Sequence, residues 1–267
     1  MKEFDEFEIL IDELAEFEDY MCENKEKVYD FQRFWNMNFW AFSNYKQLVS
    51  YVSDKETVKD YLNKYSYSVN EQVEKKIDAR PEMIEEFNLG LEETIQWINN
   101  QMIVYMCTIL EIAINDFFKC LFIEKPYMVL NLNNYTGRVI DIGFSYQELL
   151  KCDSKEEYII EIARNTAKKC NSGKIDKILE SISKMTGLKW ESDYREVLKD
   201  LSDKRNKIVH ENMHVKLSAD ELEYLYNGLE KSLILLGKKL REMNIVVKDN
   251  GGFLDEEPFY MVNENCE

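Results

Sequence analysis

Residues 192–213, SDYREVLKDLSDKRNKIVHENM, decide how this chain is read. Tyr194, Val197, Leu198, Leu201 and Ile208 recur at helical spacing and form an apolar stripe. Ser192, with Asp193 and Glu196 behind it, suits the opening turn of that helix. Four residues beyond Leu201 the stripe arrives at Arg205. A guanidinium on a core-facing side needs partners or a cleft, because an unpaired buried charge is costly. His210 lies five residues further on, about 140° round an ideal helix, so the two side chains are expected to diverge. Asn206 and His210, four apart, share a face. Arg205 and His210 are then expected to meet one substrate only if the helix deforms or a second copy faces the first. Histidine exchanges protons near pH 7, and arginine grips phosphate through two parallel hydrogen bonds. The pair therefore points to chemistry on a phosphodiester without a metal. The plain structural alternative is an arginine salt-bridged to a neighbouring helix and a surface histidine at a helix end.

Working outward, Ser218-x-x-Glu221 is a capping-box pattern, and Leu222, Leu225, Leu229, Leu233, Leu236, Leu240 and Met243 continue it as a long helix. Upstream, Pro81 suits a helix start. Phe87, Leu91, Ile95, Ile98, Met102, Tyr105, Ile109 and Ile112 then keep helical period. Helices over about 82–122, 192–213 and 219–243 are expected to pack as a bundle. Apolar residues from Phe4 to Met21 predict an amphipathic helix with an acidic outer face, and a second helix is expected over about 25–50. Ser53-x-x-Glu56, Ser145-x-x-Glu148 and Ser154-x-x-Glu157 read as further helix starts. Residues 66–80 are polar and read as a linker. Residues 127–142, with Asn133-Asn134, Gly137 and Val139-Ile140, are the least helical and suggest a small hairpin. A second short hairpin is expected within 245–262.

The fold expectation is therefore all-α, a helical bundle with an N-terminal helical extension and minor β-hairpin elements. Three segments follow: an acidic, aromatic extension over 1–80, a helical domain over 81–245 and an acidic tail over 246–267. Three prolines and nine glycines in 267 residues favour long helices over a turn-rich β fold. No apolar run is long enough to span a bilayer, and the acidic N-terminus does not read as a secretory signal. Six cysteines without a CxxC pair or a His–Cys cluster read as reduced thiols, no zinc site and a cytoplasmic location. No glycine-rich phosphate loop or nucleophile elbow is present, and no cofactor is expected. The formal charge of −17 argues against general attraction to nucleic acid. Half of that imbalance is local: residues 1–30 carry twelve Asp or Glu against three Lys. Residues 186–214 carry six basic and six acidic side chains, so the segment around Arg205 is neutral.

Arg205, four residues, then His210, with Asn206 in the polar position, resembles the signature of the HEPN superfamily of all-helical domains. The placement strengthens the likeness: RNKIVHEN on a penultimate helix, a short loop, then one more long helix. YMCTILEIAINDFFKCLF (105–122) is similar to the first core helix of such domains, and the likeness spans roughly 85–245. Its form points to the RiboL-PSP-HEPN group or an MAE-type HEPN group. The resemblance implies a metal-independent endoribonuclease acting in phage defence or a toxin–antitoxin pair. In that reading His210 exchanges the proton of a ribose 2′-OH or leaving oxygen, Arg205 holds the scissile phosphate, and Asn206 orients His210 or touches the phosphate. RNA is the expected substrate and a homodimer the expected assembly. Glu111 and Asp116 are expected near Arg205 in support. His214, four residues after His210, is incidental or assists it; an HxxxH pair alone makes no metal site. The alternative is a non-catalytic interaction or dimerisation module, in which residues 1–50 bind a protein partner or antitoxin.

Overall fold

Pro81 has no amide hydrogen to leave unpaired in a first helical turn, and its fixed φ suits that position. In the computed structural model of the chain it begins the longest helix, Pro81–Glu124. The structure describes residues 25–65, 67–70, 73–76, 80–137, 139–142 and 145–255. In chain order the elements are α1 (Phe31–Ser53), α2 (Lys55–Tyr65), β1 (Tyr67–Asn70), β2 (Val73–Lys76), α3 (Pro81–Glu124), α4 (Tyr127–Leu130), α5 (Leu132–Thr136), α6 (Tyr146–Leu149), α7 (Lys155–Cys170), α8 (Ile175–Thr186), α9 (Ser192–His210) and α10 (Ala219–Glu242). The fold is all-α, with one two-stranded antiparallel hairpin in which Tyr67 faces Lys76 and Asn70 faces Val73. Among the described residues no helix is long and apolar enough to cross a membrane.

The chain groups into two compact units. Of the described residues, the first comprises 25–34, those within Leu110–Arg195, and 231–255. Its core includes Phe117, Phe118, Leu121 and Phe122 of α3, Leu179 and Ile182 of α8, and Leu233, Leu236 and Leu240 of α10, all fully buried. Tyr29 is also fully buried, edge-on to Phe117. Its backbone pairs in parallel with Val247, receiving the Lys248 amide at 2.9 Å and donating to Val246 at 3.0 Å. Gly187 closes α8 in the left-handed conformation, φ +74°, which costs glycine little. Glu26 lies 3.4 Å from Lys119 and 3.5 Å from Arg164.

The second unit comprises Trp35–Ile109 and Glu196–Glu230. Phe42 of α1 stacks on Tyr226 of α10 with centroids 4.1 Å apart. Ile103, Met106 and Ile109 of α3 join Val197, Leu198 and Leu201 of α9 and Leu222, Leu225 and Leu229 of α10 in the core. α9 and α10 approach closely at Gly228, where a Cβ would fall 2.2 Å from Val197 Cγ1. Ser218 caps α10 as a capping box: its hydroxyl accepts from the Glu221 amide, and Glu221 Oε2 accepts from the Ser218 amide. Ser154 caps α7 by accepting from the Glu157 amide.

Several local expectations are corrected. Residues 127–142 do not form a hairpin. Pro126 opens the short α4, and α5 ends at Gly137 in the left-handed region, φ +65°. Met128, Val129 and Leu132 are buried, so packing on one helical side decides that segment. The hairpin lies instead at 67–76, inside the stretch read as a linker. The cap of α2 is Asp54, not Ser53: Asp54 Oδ2 accepts from the Thr57 amide, and Ser53 is the last residue of α1. Along α3, Tyr105 is exposed while Ile103 and Met106 are buried. This stretch of α3 is apolar on nearly every side, so periodicity alone could not choose its buried face. The expected helix at 1–23 lies outside the described residues, as does the chain beyond 255.

The Glu26 contacts make a pH-dependent contribution. Partial burial raises its pKa, but Lys119 and then Arg164 outweigh that and hold the carboxyl below its ordinary value. A depressed carboxylate stabilises the fold above its unfolded pKa, and that contribution is lost as pH falls through the folded value. Glu26→Gln is expected to cost about 0.5 kcal/mol at pH 7, because the side chain is nearly half exposed and solvent screens the pairs. Urea unfolding at pH 7 and pH 3 checks this: the difference between Glu26→Gln and the parent should be smaller at the lower pH.

Candidate active site

α9 carries Asp193 in its first turn and Lys207 and His210 in its last, signs that suit its dipole. Val197, Leu198 and Leu201 bury one face of it. Arg205, one turn beyond Leu201, is half-buried, while Asn206 and His210 are exposed. Arg205 Nη1 lies 2.9 Å from His210 Nε2 and 3.2 Å from Asn206 Oδ1. The expected divergence of positions 205 and 210 is therefore overcome within a single chain. The arginine side chain is long, and His210 is the terminal residue of the helix, so the guanidinium reaches along the last turn to the imidazole. A guanidinium only donates hydrogen bonds. His210 Nε2 is the ring nitrogen that faces this donor. Asn206 contacts the guanidinium rather than the imidazole. Lys204, beside this group, is paired with Asp200, so it does not add a loose cation.

The chain leaves α9 through a loop rather than fraying. Asn212 takes the left-handed conformation, φ +52°, and the Met213 amide donates to the Lys207 carbonyl at 3.0 Å. The next residues are held by three carboxamides of α3. Asn100 donates to the Val215 carbonyl at 2.9 Å and accepts from the Val215 amide at 3.0 Å. Gln96 does the same to Leu217, both contacts at 3.0 Å. Asn99 adds a bond to the Leu217 carbonyl at 3.2 Å and accepts from the Tyr45 hydroxyl at 2.7 Å. Burial pushes the Tyr45 hydroxyl pKa up, which keeps it a proton donor. His214, between the two clasped stretches, sets its ring edge-on to Trp97, with centroids 5.1 Å apart.

Gln96, Trp97, Asn99 and Asn100 were not among the residues expected at the site. A signal for them exists in the sequence: Asn99 and Asn100 interrupt an apolar helix, and buried amides need partners. The supporting carboxylates are placed in the first unit. Glu111 is exposed, and its carbonyl accepts from Asn171 at 2.7 Å. Asp116 lies 3.7 Å from Lys119. Among the described residues no group of three His, Cys, Asp or Glu could hold a metal ion. Asn100→Ala would strip the Val215 amide and carbonyl of their partners. The expected cost is about 1–3 kcal/mol in urea unfolding, with faster hydrogen exchange at the Val215 amide.

With this geometry in place, comparison with known proteins gives one result. The family model RiboL-PSP-HEPN matches residues 84–241, from the first turn of α3 to the last turn of α10. No curated protein and no solved structure matches the chain. The matched span is more than half of the chain and contains Arg205, Asn206, His210 and the loop behind them. By that match the chain belongs to the RiboL-PSP-HEPN family.

Proposed function

We propose that the chain is a metal-independent endoribonuclease that cleaves RNA by attack of the ribose 2′-OH. The observation that carries this reading is the exposed Arg205–His210 contact at 2.9 Å. In the free protein the guanidinium occupies His210 Nε2. A bound phosphodiester offers it a charged, bidentate partner instead. As Arg205 turns to the phosphate oxygens, Nε2 is released as an acceptor for the 2′-OH proton. The 2′ oxygen then bonds to phosphorus, the bond to the 5′ oxygen breaks, and that oxygen takes up a proton. The products are a 2′,3′-cyclic phosphate and a 5′-OH. Arg205 stabilises the charge that accumulates on the phosphoryl oxygens, and Asn206 Oδ1 holds the guanidinium at Nη1, the same nitrogen that faces His210. DNA lacks the attacking hydroxyl and is not a substrate. A homodimer belongs to this proposal, with a second Arg–His pair facing the first and His210 of the partner subunit protonating the leaving oxygen. Since one chain already joins its own Arg205 and His210, each protomer brings a formed pair. Phage defence or a toxin–antitoxin pair is the setting that the family likeness suggests.

A second reading has its own observation. Trp40, Leu48 and Tyr51 of α1 are exposed, an apolar set suited to a protein partner or antitoxin. In that case Arg205 and His210 serve the fold, and the domain is an interaction module.

Incubating purified protein with RNA in EDTA separates the two. Cleavage is expected to persist and to fall on the order of 10²–10⁴-fold in His210→Ala. Arg205→Lys should be severely impaired, because a point charge does not replace a planar fork, and His214→Ala should retain most of its turnover. Cleavage that requires magnesium would assign the chemistry elsewhere. Sedimentation at micromolar concentration is expected to show a dimer; an active monomer would remove the second protomer from the mechanism.

A further inference from the structure

We infer that Trp97, braced edge-on by His214, is a stacking platform for a nucleobase of single-stranded RNA next to the scissile phosphate. This rests on the ribonuclease reading and adds a substrate contact to it. Trp97 is 62% exposed, an unusual place for the largest aromatic side chain. Its ring is not loose, because His214 packs against it at 5.1 Å. His214 in turn sits between Val215 and Leu217, which Gln96, Asn99 and Asn100 clasp, and Met213, which bonds back to Lys207. The platform is therefore built in advance, and a base that lands on it orders little else.

Its position follows from the same contacts. The Met213 amide is 3.0 Å from the Lys207 carbonyl, and Lys207 lies one turn before His210 on α9. His214 is the next residue after Met213, a Cα step of about 3.8 Å. His214, which braces the platform on α3, thus belongs to the loop that leaves the end of α9 carrying the Arg205–His210 pair. Trp97 and His214 also line an open groove of about 730 Å³ with Glu92, Glu93, Gln96 and Lys216. Two carboxylates against one ammonium make this groove a poor seat for phosphate. What fits beside an exposed indole there is the uncharged, planar part of a nucleotide, while its phosphate lies toward Arg205. A base in a duplex is stacked on its neighbours and is not free to do this; a splayed base in a single strand is.

The test uses the His210→Ala variant of the 267-residue chain, expected to cleave too slowly to deplete its ligand during a binding measurement, and a single-stranded RNA octamer. Adding Trp97→Ala should weaken binding roughly five- to hundredfold, the range for loss of one base–aromatic stack. Trp97→Phe should recover most of it. With His210 present, Trp97→Ala should raise KM and leave kcat within a few-fold, and a duplex of the same sequence should show no dependence on Trp97. Unchanged octamer affinity and KM in Trp97→Ala, alongside loss of cleavage in His210→Ala, would overturn the platform and leave the ribonuclease reading standing. A parent protein that neither binds nor cleaves RNA would overturn both. Dissociation of a dimer by Trp97→Ala, with RNA affinity per protomer unchanged, would assign the ring to self-association and overturn the platform.

Discussion

Three carboxamides on one turn of α3 hold the loop that follows the motif helix, and the candidate site depends on that clasp. Val215 and Leu217 belong to no helix, so their amides and carbonyls would otherwise be left to water. Asn100 and Gln96 each supply a donor and an acceptor, as a neighbouring strand would. Asn99 is oriented by the Tyr45 hydroxyl, which extends the arrangement to α1. The desolvation cost of burying Asn99 and Asn100, and of half-burying Gln96, is offset only because each finds its partners. The result is an abrupt, ordered exit from α9, with His210 as its last helical residue.

That exit governs the chemistry of the Arg205–His210 pair. A histidine in mid-helix would be held to the direction its backbone dictates; one at the terminus is met by a long arginine side chain reaching down the last turn. In this contact a guanidinium N–H donor of Arg205 faces the imidazole Nε2 of His210. Arg205 touches both His210 and Asn206 at the end of the helix. Selectivity for a phosphodiester would come from a few placed donors, not from the field of the whole protein, which at −17 repels polyanions. The locally balanced charge around α9 removes that obstacle at short range.

Elsewhere the structure spends its polar groups on joining segments. Asp249 is buried at the side chain, accepts from the Phe253 and Leu254 amides and is bridged by Arg241. Tyr29 is locked into the first unit through its backbone, and burial raises its hydroxyl pKa well above the ordinary value. These contacts order the chain on either side of the long helices, which carry the apolar load.

Long-range order along one helix is legible without coordinates, because a buried stripe must recur every three to four residues. Leu222, Leu225, Leu229, Leu233, Leu236 and Leu240 of α10 are buried as that rule requires, and the Ser218–Glu221 box forms where its spacing says. Arg205, Asn206 and His210 are singled out by residue type and spacing together with the resemblance of their placement to HEPN domains. Which side of α3 is buried could not be read this way, since that helix is apolar almost all round between Met102 and Ile123. Nor could the short helices at 127–136 or the hairpin at 67–76, where local composition is ambiguous and neighbours decide. The clasp of Gln96, Asn99 and Asn100 on Val215 and Leu217 joins residues more than a hundred positions apart. The sequence by itself determined the long helices, because a buried stripe follows from local periodicity, and it singled out Arg205, Asn206 and His210 as candidates by residue type and likeness of spacing. Only the tertiary structure decided that Arg205 touches His210 and that Trp97 stands beside His214, because those contacts depend on where a helix stops and what holds the loop beyond it.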